Sequence, residues 1–220
     1  MMRFDVITIF PSFFEEYFSK GILHKGCEKG LLEVNVHDLR DWTTDKHRTV
    51  DDACFGEGSG MVMKVGPIYR AVSDIKLKNK KSLVVLFTPR GKKFNQKKAS
   101  KLTEYDQVIM ICGRYEGVDE RVAKHIADEK ISIGSFVLMG GEIPAMAVVE
   151  TVARLVPGVI GKESFLKERK KKESFIEYPQ YTRPEVFEAD EKKWKVPSVL
   201  LSGNHKEVEK WKNKKGKLIK

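Results

Sequence analysis

Residues 81–94 read KSLVVLFTPRGKKF, and residues 107–121 read QVIMICGRYEGVDER. Each segment begins with a run of apolar residues, many of them β-branched, and then enters a loop that contains glycine. Continuous apolar runs of this length are typical of strands that are buried on both faces of a parallel sheet. The two segments therefore predict buried strands at 81–88 and 107–113, each followed by a glycine loop.

Strands and helices alternate on both sides of these two segments. Further strands are predicted at 3–10, 31–39 and 130–136, and helices at 12–18, 67–75, 116–126 and 143–156. The first of these helices is expected to begin with a capping box, formed by Ser12 and Glu15. Because strands separated by helices usually pair in parallel, we predict an α/β fold with a mostly parallel sheet and flanking helices.

The composition of the chain changes after Pro157. Residues 161–177 are charged, rich in lysine and without a sustained apolar period, which predicts a flexible basic linker. Residues 178–220 include a predicted helix at 204–215, which is too short and too polar to hold a core alone. We therefore expect a main domain at 1–160, then the linker, then a small helical C-terminal domain.

The positive charge of the chain is concentrated towards its C-terminal end. The formal net charge is +10, and residues 161–220 hold 17 Lys and Arg against 10 Asp and Glu. A basic balance favours phosphate-rich partners through the release of counterions, although solvated lysines on a heat-stable surface give the same composition. The charge favours a nucleic-acid partner over that alternative.

The composition also argues against several classes of protein. No window approaches the roughly 18 uninterrupted apolar residues of a membrane span, and the N-terminus enters a strand pattern without a signal-peptide cleavage site. We therefore expect a cytoplasmic protein that does not engage a membrane. Cys27, Cys54 and Cys112 are far apart and form no CxxC pair, so neither a disulfide framework nor a metal site is expected.

Three glycine loops follow predicted strands: TPRGKKF (88–94), CGRYEGVDER (112–121) and IGSFVLMGGEIPA (133–145). Open α/β sheets bind ligands at the carboxyl ends of their strands, and glycine leaves backbone groups accessible to the edge of an adenine or the hydroxyls of a ribose. Three such loops together favour a ligand site. A further loop, FGEGSGM (55–61), matches neither common nucleotide fingerprint and by itself favours a tight connecting loop over a ligand site.

The motifs of the chain resemble those of one known family, and in the same order. The blocks are DKHRTVDD (45–52), GEGSGMVMKVGPI (56–68), TPRGKKFNQ (88–96), ICGRYEGVDERV (111–122), SIGSFVLMGGEIPAM (132–146), VARLVPGVIG (152–161), YPQYTRPEVFE (178–188) and VPSVLLSGNHKEVEKW (196–211). They are similar to those of the TrmD family of tRNA (guanine-N(1))-methyltransferases. The similarity covers nearly the whole chain, and GRYEGVDER with VLMGGE at this separation is highly specific.

This resemblance implies a SPOUT-class fold, in which strand-end loops form a C-terminal trefoil knot around the methyl donor. Threaded connections are nearly absent among folds, so the knot rests on the resemblance alone. S-adenosylmethionine is the implied donor, and the implied target is N1 of the guanosine immediately 3′ of the anticodon (position 37) in tRNA. A homodimer is also implied, while the Mg²⁺ requirement that the family suggests is left open by the sequence.

The resemblance places the methyl donor among the three glycine loops. The implied donor-binding residues are Leu86, Thr88, Pro89, Gly91, Gly113, Tyr115, Glu116, Gly117, Ser132, Ile133, Gly134, Phe136, Leu138, Gly140, Gly141 and Pro144. Leu86, Ile133 and Leu138 fit a hydrophobic core equally well. Glu120 and Arg121 are interpreted as a solvated ion pair. The implied substrate-binding residues are Gly58, Ser59, Gly60, Met61, Ser174 and Arg183.

Methylation of guanine at N1 requires two catalytic groups. A carboxylate must remove the N1 proton, and a cation must stabilise the negative charge that develops on the adjacent carbonyl oxygen. The resemblance assigns the cation to Arg154. It assigns the base to Glu173, which stands where the family has an aspartate before Ser-Phe. Because the preceding segment is longer and lysine-rich, Glu168 and Glu177 remain alternatives; without the resemblance, all three are ordinary solvated carboxylates.

The chain also departs from the family pattern at its end and in its glycine loop. It stops soon after NHKEVEKW, so we expect a shortened tRNA-binding domain. Phe55, Glu57 and Ser59 stand where the family usually has tyrosine, glycine and proline. Two other functions stay open at this point: methylation of another RNA by the same scaffold, and RNA binding without catalysis.

Overall fold

The computed structural model describes residues 1–56, 58, 60–160, 175–176, 178–190 and 192–218 of the 220-residue chain. The chain divides into two compact units, Met1–Lys167 and Glu168–Lys220. The strands are β1 Met2–Thr8, β2 Leu32–Asp38, β3 Asp51–Ala53, β4 Met61–Met63, β5 Ser82–Lys93, β6 Gln107–Ile111, β7 Glu129–Ser132, β8 Phe175–Ile176, β9 Val186–Ala189, β10 Lys192–Lys195 and β11 Lys217–Leu218. The helices are α1 Ser12–Phe18, α2 Gly21–Glu28, α3 Val65–Ile75, α4 Gln96–Leu102, α5 Glu120–His125, α6 Glu142–Ala153, α7 Ser198–Leu201 and α8 His205–Lys215, with a short 3-10 helix at Leu39–Trp42.

The first unit is built on a five-stranded sheet in the order β2-β1-β6-β5-β7. All of its strand pairs are parallel. The apolar runs at 81–88 and 107–113 form β5 and β6, which lie side by side with Val85 opposite Met110. The prediction of an α/β fold with a mostly parallel sheet is therefore confirmed.

Alternate residues of the strands supply two hydrophobic cores, one on each face of the sheet. On one face Phe4 and Val6 belong to a cluster that includes Val148 of α6. On the other face Ile7 belongs to a cluster that includes Ile68 of α3. Because successive strand residues point to opposite faces, strands that are covered on both sides must be apolar throughout.

β5 extends further than predicted and contacts β7 twice. Val85–Phe87 pairs with Glu129–Ile131, and after an irregularity Lys92 and Lys93 pair with Ile131 and Ser132. Between the two pairings Gly91 lies so close to β7 that a β-carbon there would be 2.6 Å from the Ile131 backbone. The segment 88–94 is therefore partly strand rather than only a loop.

Three local predictions were wrong at helix and strand ends. α1 has Pro11 at its N-cap and no side-chain cap, so the Ser12 capping box is absent. α5 begins at Glu120 rather than 116, because Tyr115 and Gly117 have positive φ and Asp119 caps the helix by accepting from Arg121 N. β7 ends at Ser132, whose hydroxyl donates to the Gly134 carbonyl in a turn.

The second unit contains one short hairpin and one pair of distant strands as well as the predicted helix. α8 begins after Asn204, whose side chain accepts a hydrogen bond from Glu207 N. β9 pairs antiparallel with β10, and β8 pairs antiparallel with β11. Trp211 of α8 packs against the rings of Tyr178 and Tyr181. None of the described helices is long and apolar enough to span a membrane.

Candidate functional site

The irregular middle of β5, at 86–90, and the segments that follow β6 and β7 enclose a cavity of about 400 Å³. It lies at the carboxyl ends of β6 and β7, and open α/β sheets bind their ligands at such strand ends. Its lining consists of Leu86, Phe87, Thr88, Pro89, Arg90, Gly113, Arg114, Tyr115, Glu116, Gly117, Val118, Glu120, Ala123, Lys130, Ile131, Ser132, Ile133, Phe136, Val137, Leu138, Met139, Gly140, Gly141 and Pro144. The three loops that the sequence singled out thus meet around one space.

All of the predicted donor-binding residues except Gly91 and Gly134 line this cavity. Gly91 instead backs onto β7, as described above. Gly134 lies against the ring of Phe136, which a β-carbon at Gly134 would overlap. Leu86 belongs to the hydrophobic core and also to the cavity lining, so the two interpretations of this residue are compatible.

The turn at Gly140 and Gly141 leads from the loop after β7 into α6, and it packs against the loop after β6. Gly141 N donates to the Gly113 carbonyl at 3.0 Å. A β-carbon on Gly141 would be 2.6 Å from Cys112 Cα. Only glycine permits this approach, which keeps backbone groups at the cavity wall free of side chains. Such a wall suits a ligand that is recognised by its polar edges.

A buried carboxylate lies beneath this turn. Glu142 is 1% exposed, and it accepts hydrogen bonds from Thr8 Oγ1 at 2.8 Å and from Arg114 Nε at 2.9 Å. The Arg114 guanidinium also lies 4.8 Å from the centre of the Phe10 ring. A buried ion pair needs such additional partners to offset the loss of hydration. The pair ties β1, the loop after β6 and α6 together.

Sequence patterns missed this network because Thr8 and Glu142 are far apart in the chain. The only local signal was an acidic residue directly after Gly140 and Gly141. Burial raises the pKa of Cys112 well above that of an ordinary thiol, and the nearby charge of Glu142 raises it further. Cys112 is therefore a neutral thiol and a poor nucleophile at neutral pH.

The hairpin β3–β4 packs against the loop after β6. Glu116 N donates to Met61 O at 3.0 Å, and Met63 N donates to Gly117 O at 2.9 Å. Gly60 has a φ of 100°, and a β-carbon there would be 2.7 Å from Glu116 Cγ. The predicted substrate residues Gly60 and Met61 thus lie beside Glu116 at the cavity.

Tyr115, in the same loop, holds a left-handed backbone conformation with φ of 59°. A non-glycine residue in this region is strained by roughly 1 kcal/mol or more, and such strain is typical of ligand sites. Burial raises the pKa of the Tyr115 hydroxyl, and the negative charge of Asp51 raises it further. The phenol is therefore neutral at physiological pH.

The predicted catalytic and substrate residues are only partly described by the structure. Arg154 is exposed at the C-cap of α6 and makes no side-chain hydrogen bond or ion pair with the described part of the chain. Gly58 is exposed in the β3–β4 connection, and Arg183 is exposed in the second unit. Three predicted residues lie outside the described residues: Ser59, Glu173 and Ser174. The alternative bases Glu168 and Glu177 lie outside them too.

The expected ion pair between Glu120 and Arg121 is wrong. Arg121 pairs with Asp119 at 2.6 Å, and Glu120 pairs with Arg90 at 3.0 Å. Asp119 is both the cap of α5 and the partner of Arg121, which holds Arg121 away from Glu120. Among the residues that the structure describes, no group of three His, Cys, Asp or Glu side chains is arranged to hold a metal ion.

A parallel α/β sheet with glycine loops around a strand-end cavity defines a protein of the nucleotide- or cofactor-binding class. The family model described as tRNA (Guanine-1)-methyltransferase TrmD matches residues 2–219. The chain therefore belongs to this family of methyltransferases.

Curated relatives agree with this assignment, and each is named tRNA (guanine-N(1)-)-methyltransferase. The protein of Dictyoglomus turgidum is 53% identical over 214 residues, which are 97% of this chain and 84% of the relative. That of Citrifermentans bemidjiense is 50% identical over 213 residues, with the same coverage of 97% and 84%. That of Mycoplasmopsis synoviae is 48% identical over 213 residues, covering 97% of this chain and 91% of the relative.

Proposed function

We propose that this methyltransferase transfers a methyl group from S-adenosylmethionine to N1 of the guanosine immediately 3′ of the anticodon, at position 37 of tRNA. The observation that carries the proposal is the glycine-walled cavity at the ends of β5, β6 and β7. Family membership supplies the reaction class, and the cavity supplies a place for a donor that carries an adenosine.

The cavity fits such a donor through the character of its walls. Leu86 forms an apolar floor, and Phe136 and Leu138 offer apolar surface from the loop after β7. Backbone groups at Gly113 and Gly140 offer donors and acceptors for polar edges. A flat heterocycle has apolar faces and polar edges, so its binding requires both apolar surface and hydrogen-bonding groups. The bound donor supplies an electrophilic methyl group on a sulfonium centre.

The residues of this chain then have to prepare the guanine. At neutral pH the N1 atom of guanine carries a proton, so a base must remove it before or during methyl transfer. We assign this step to Glu173 of the linker, with Glu168 and Glu177 as alternatives. Arg154 is exposed and free of other side-chain partners in the described part of the chain, so its guanidinium is available to stabilise charge on the guanine oxygen. No step is assigned to Mg²⁺.

A homodimer would complete this site. Phe13, Val137, Met139 and Ile143 are exposed apolar side chains on α1, on the loop after β7 and on α6. Val137 and Met139 also line the cavity, so the apolar surface reaches the site itself. Large exposed apolar surfaces commonly mark interfaces, and closure by a second copy would exclude water from the reaction.

We also propose a trefoil knot in the strand-end loops, on the ground of family membership. We further propose a SPOUT-like catalytic domain at 1–160, a linker at 161–177 and a small tRNA-binding domain at 178–220. We also propose that the protein methylates tRNA in the cytoplasm.

Methyl transfer to a mapped position tests this function. The full-length protein would be incubated with labelled S-adenosylmethionine and an unmodified tRNA that carries guanosine at the last anticodon position and at the next position. We expect label only at the guanosine 3′ of the anticodon. Label at another base would indicate a different RNA methyltransferase, and binding of the tRNA without any transfer would indicate a non-catalytic RNA-binding protein.

A further inference from the structure

The hairpin β9–β10 of the second unit displays an aromatic pair to solvent. Phe187 and Trp194 are directly opposite each other in the antiparallel register. Their ring centroids are 5.6 Å apart and their planes are inclined by 34°. Phe187 is 51% exposed and Trp194 is 61% exposed. The cross-strand contact thus fixes two large rings side by side while leaving about half of each in water.

Two exposed aromatic rings held in this way do not serve a core. The hydrophobic effect disfavours leaving such rings in water, and stable proteins usually bury them or use them for binding. By contrast, Trp211 in the same unit is only partly exposed and packs on Tyr178 and Tyr181. Among the described aromatic residues of this unit, Tyr181 is also 50% exposed, but its ring packs on Trp211, whereas the rings of Phe187 and Trp194 pack on each other.

The charges of the hairpin are arranged around this pair. β10 carries Lys192, Lys193 and Lys195, all exposed. By strand alternation Lys192 lies on the same face as Trp194, whereas Lys193 lies on the opposite face, where it pairs with Glu188 at 3.1 Å. Among the strand residues, the aromatic face therefore carries a free cation and no carboxylate.

We propose that the Phe187–Trp194 pair is a stacking platform for an unpaired base of the RNA substrate, with Lys192 on the same face contacting a neighbouring phosphate. The proposal rests on the proposed function, since tRNA is the polyanion that the protein must hold. Aromatic side chains accept any base on their π-face, while the bases of a paired helix are not accessible for stacking. An apolar protein partner would not need the lysine beside the rings.

Tryptophan fluorescence of the full-length protein tests the contact directly. We expect unmodified tRNA to quench the emission, and we expect this change to disappear in Trp194→Phe. Trp42→Phe is the matched control, because Trp42 lies in the first unit, where its Nε1 donates a hydrogen bond to Asp74. The quenching should persist in this variant. A fully paired RNA duplex of equal length should quench little. Quenching that survives unchanged in Trp194→Phe overturns the proposal.

Binding affinity provides the second readout. Loss of one base stack typically weakens binding by about 5- to 100-fold, so Trp194→Ala should raise the Kd for tRNA within that range. Trp194→Phe should recover most of it. Tyr69→Ala removes a ring that is also 61% exposed, but on α3, and should leave the Kd unchanged. Lys192→Ala should reduce the slope of log Kd against log salt concentration by the amount that corresponds to the loss of about one phosphate contact.

The two proposals fail in different ways. If the wild-type protein transfers no methyl group to tRNA, the proposed function is wrong, whatever the hairpin variants do. If methyl transfer occurs but Trp194→Ala binds tRNA as tightly as wild type, the platform is wrong. A change of oligomeric state in Trp194→Ala, measured by light scattering with unchanged tRNA affinity, would also overturn the platform and indicate a protein interface.

Discussion

The structure leaves no room for a β-carbon at Gly141. At Gly113, on the same cavity wall, it leaves enough room for one. At Gly141 the added carbon would be 2.6 Å from Cys112 Cα and 3.1 Å from Gly113 N. Ordinary carbon contacts begin near 3.5 Å, so the two loops would have to separate by about 1 Å. At Gly113 the nearest atom to an added carbon is Val118 Cγ1, at 3.4 Å, which is an ordinary contact.

The Gly141→Ala substitution should therefore damage both stability and donor binding. Overpacking against backbone costs about 1–3 kcal/mol, which corresponds to a fall in Tm of roughly 2–12 °C for a protein of this size. The 3.0 Å hydrogen bond from Gly141 N to Gly113 O would also be stretched. Because this turn forms the cavity wall, we expect affinity for S-adenosylmethionine to fall by at least about tenfold, or 1.4 kcal/mol.

Calorimetry with S-adenosylmethionine and thermal unfolding measure the two effects. Gly113→Ala is the matched control for stability, and it should keep a Tm near that of wild type. If Gly141→Ala binds the donor as tightly as wild type, the donor does not occupy the cavity that this turn forms. An equal fall in Tm in both variants would refute the reasoning from the added carbon.

Three further predictions follow from the site and the sheet. Glu173→Gln should lower the single-turnover rate by about 10²–10⁴-fold with donor binding unchanged, and Glu173→Asp should restore it; a full-rate Glu173→Gln would move the base to another linker carboxylate. Mixing Arg154→Ala subunits with Glu173→Gln subunits should partly restore activity if the two groups come from different chains, and light scattering should show a dimer. Burial raises the pKa of Asp5, but hydrogen bonds from His37 and Arg3 outweigh it and lower the pKa to about 2. The ionised carboxylate therefore contributes about 2 kcal/mol of stability above pH 4, and this is lost as the pH falls towards 2. Asp5→Asn should show a flatter dependence of Tm on pH in that window.

The sequence predicted the sheet of the first unit well, because its signals are strong and local. β5 and β6 are continuous apolar runs, and no other element type explains them in a chain that alternates strands and helices. The helices α2 and α4 were missed. α2 contains Gly21 and Gly26, and α4 is rich in lysine and buries only Ala99 and Leu102, so neither has a clear helical apolar pattern.

Features that depend on distant contacts could not be predicted from local patterns. Glu142 gains its two partners only when β1 and the loop after β6 converge on α6. Gly91 lies in β5 because β5 resumes its parallel pairing with β7 after an irregularity at 88–91. The exposed pair of Phe187 and Trp194 depends on hairpin register, which a charged, irregular stretch of sequence does not specify.

The central claim is that this chain methylates N1 of the guanosine 3′ of the anticodon. Two unmodified tRNA transcripts that differ only in having guanosine or adenosine at this position test it most directly, followed by mass analysis of the nucleosides. We expect 1-methylguanosine from the guanosine transcript, one methyl group per tRNA, and no methylated product from its adenosine counterpart. Methylation of both transcripts, or a product other than 1-methylguanosine, would contradict the account.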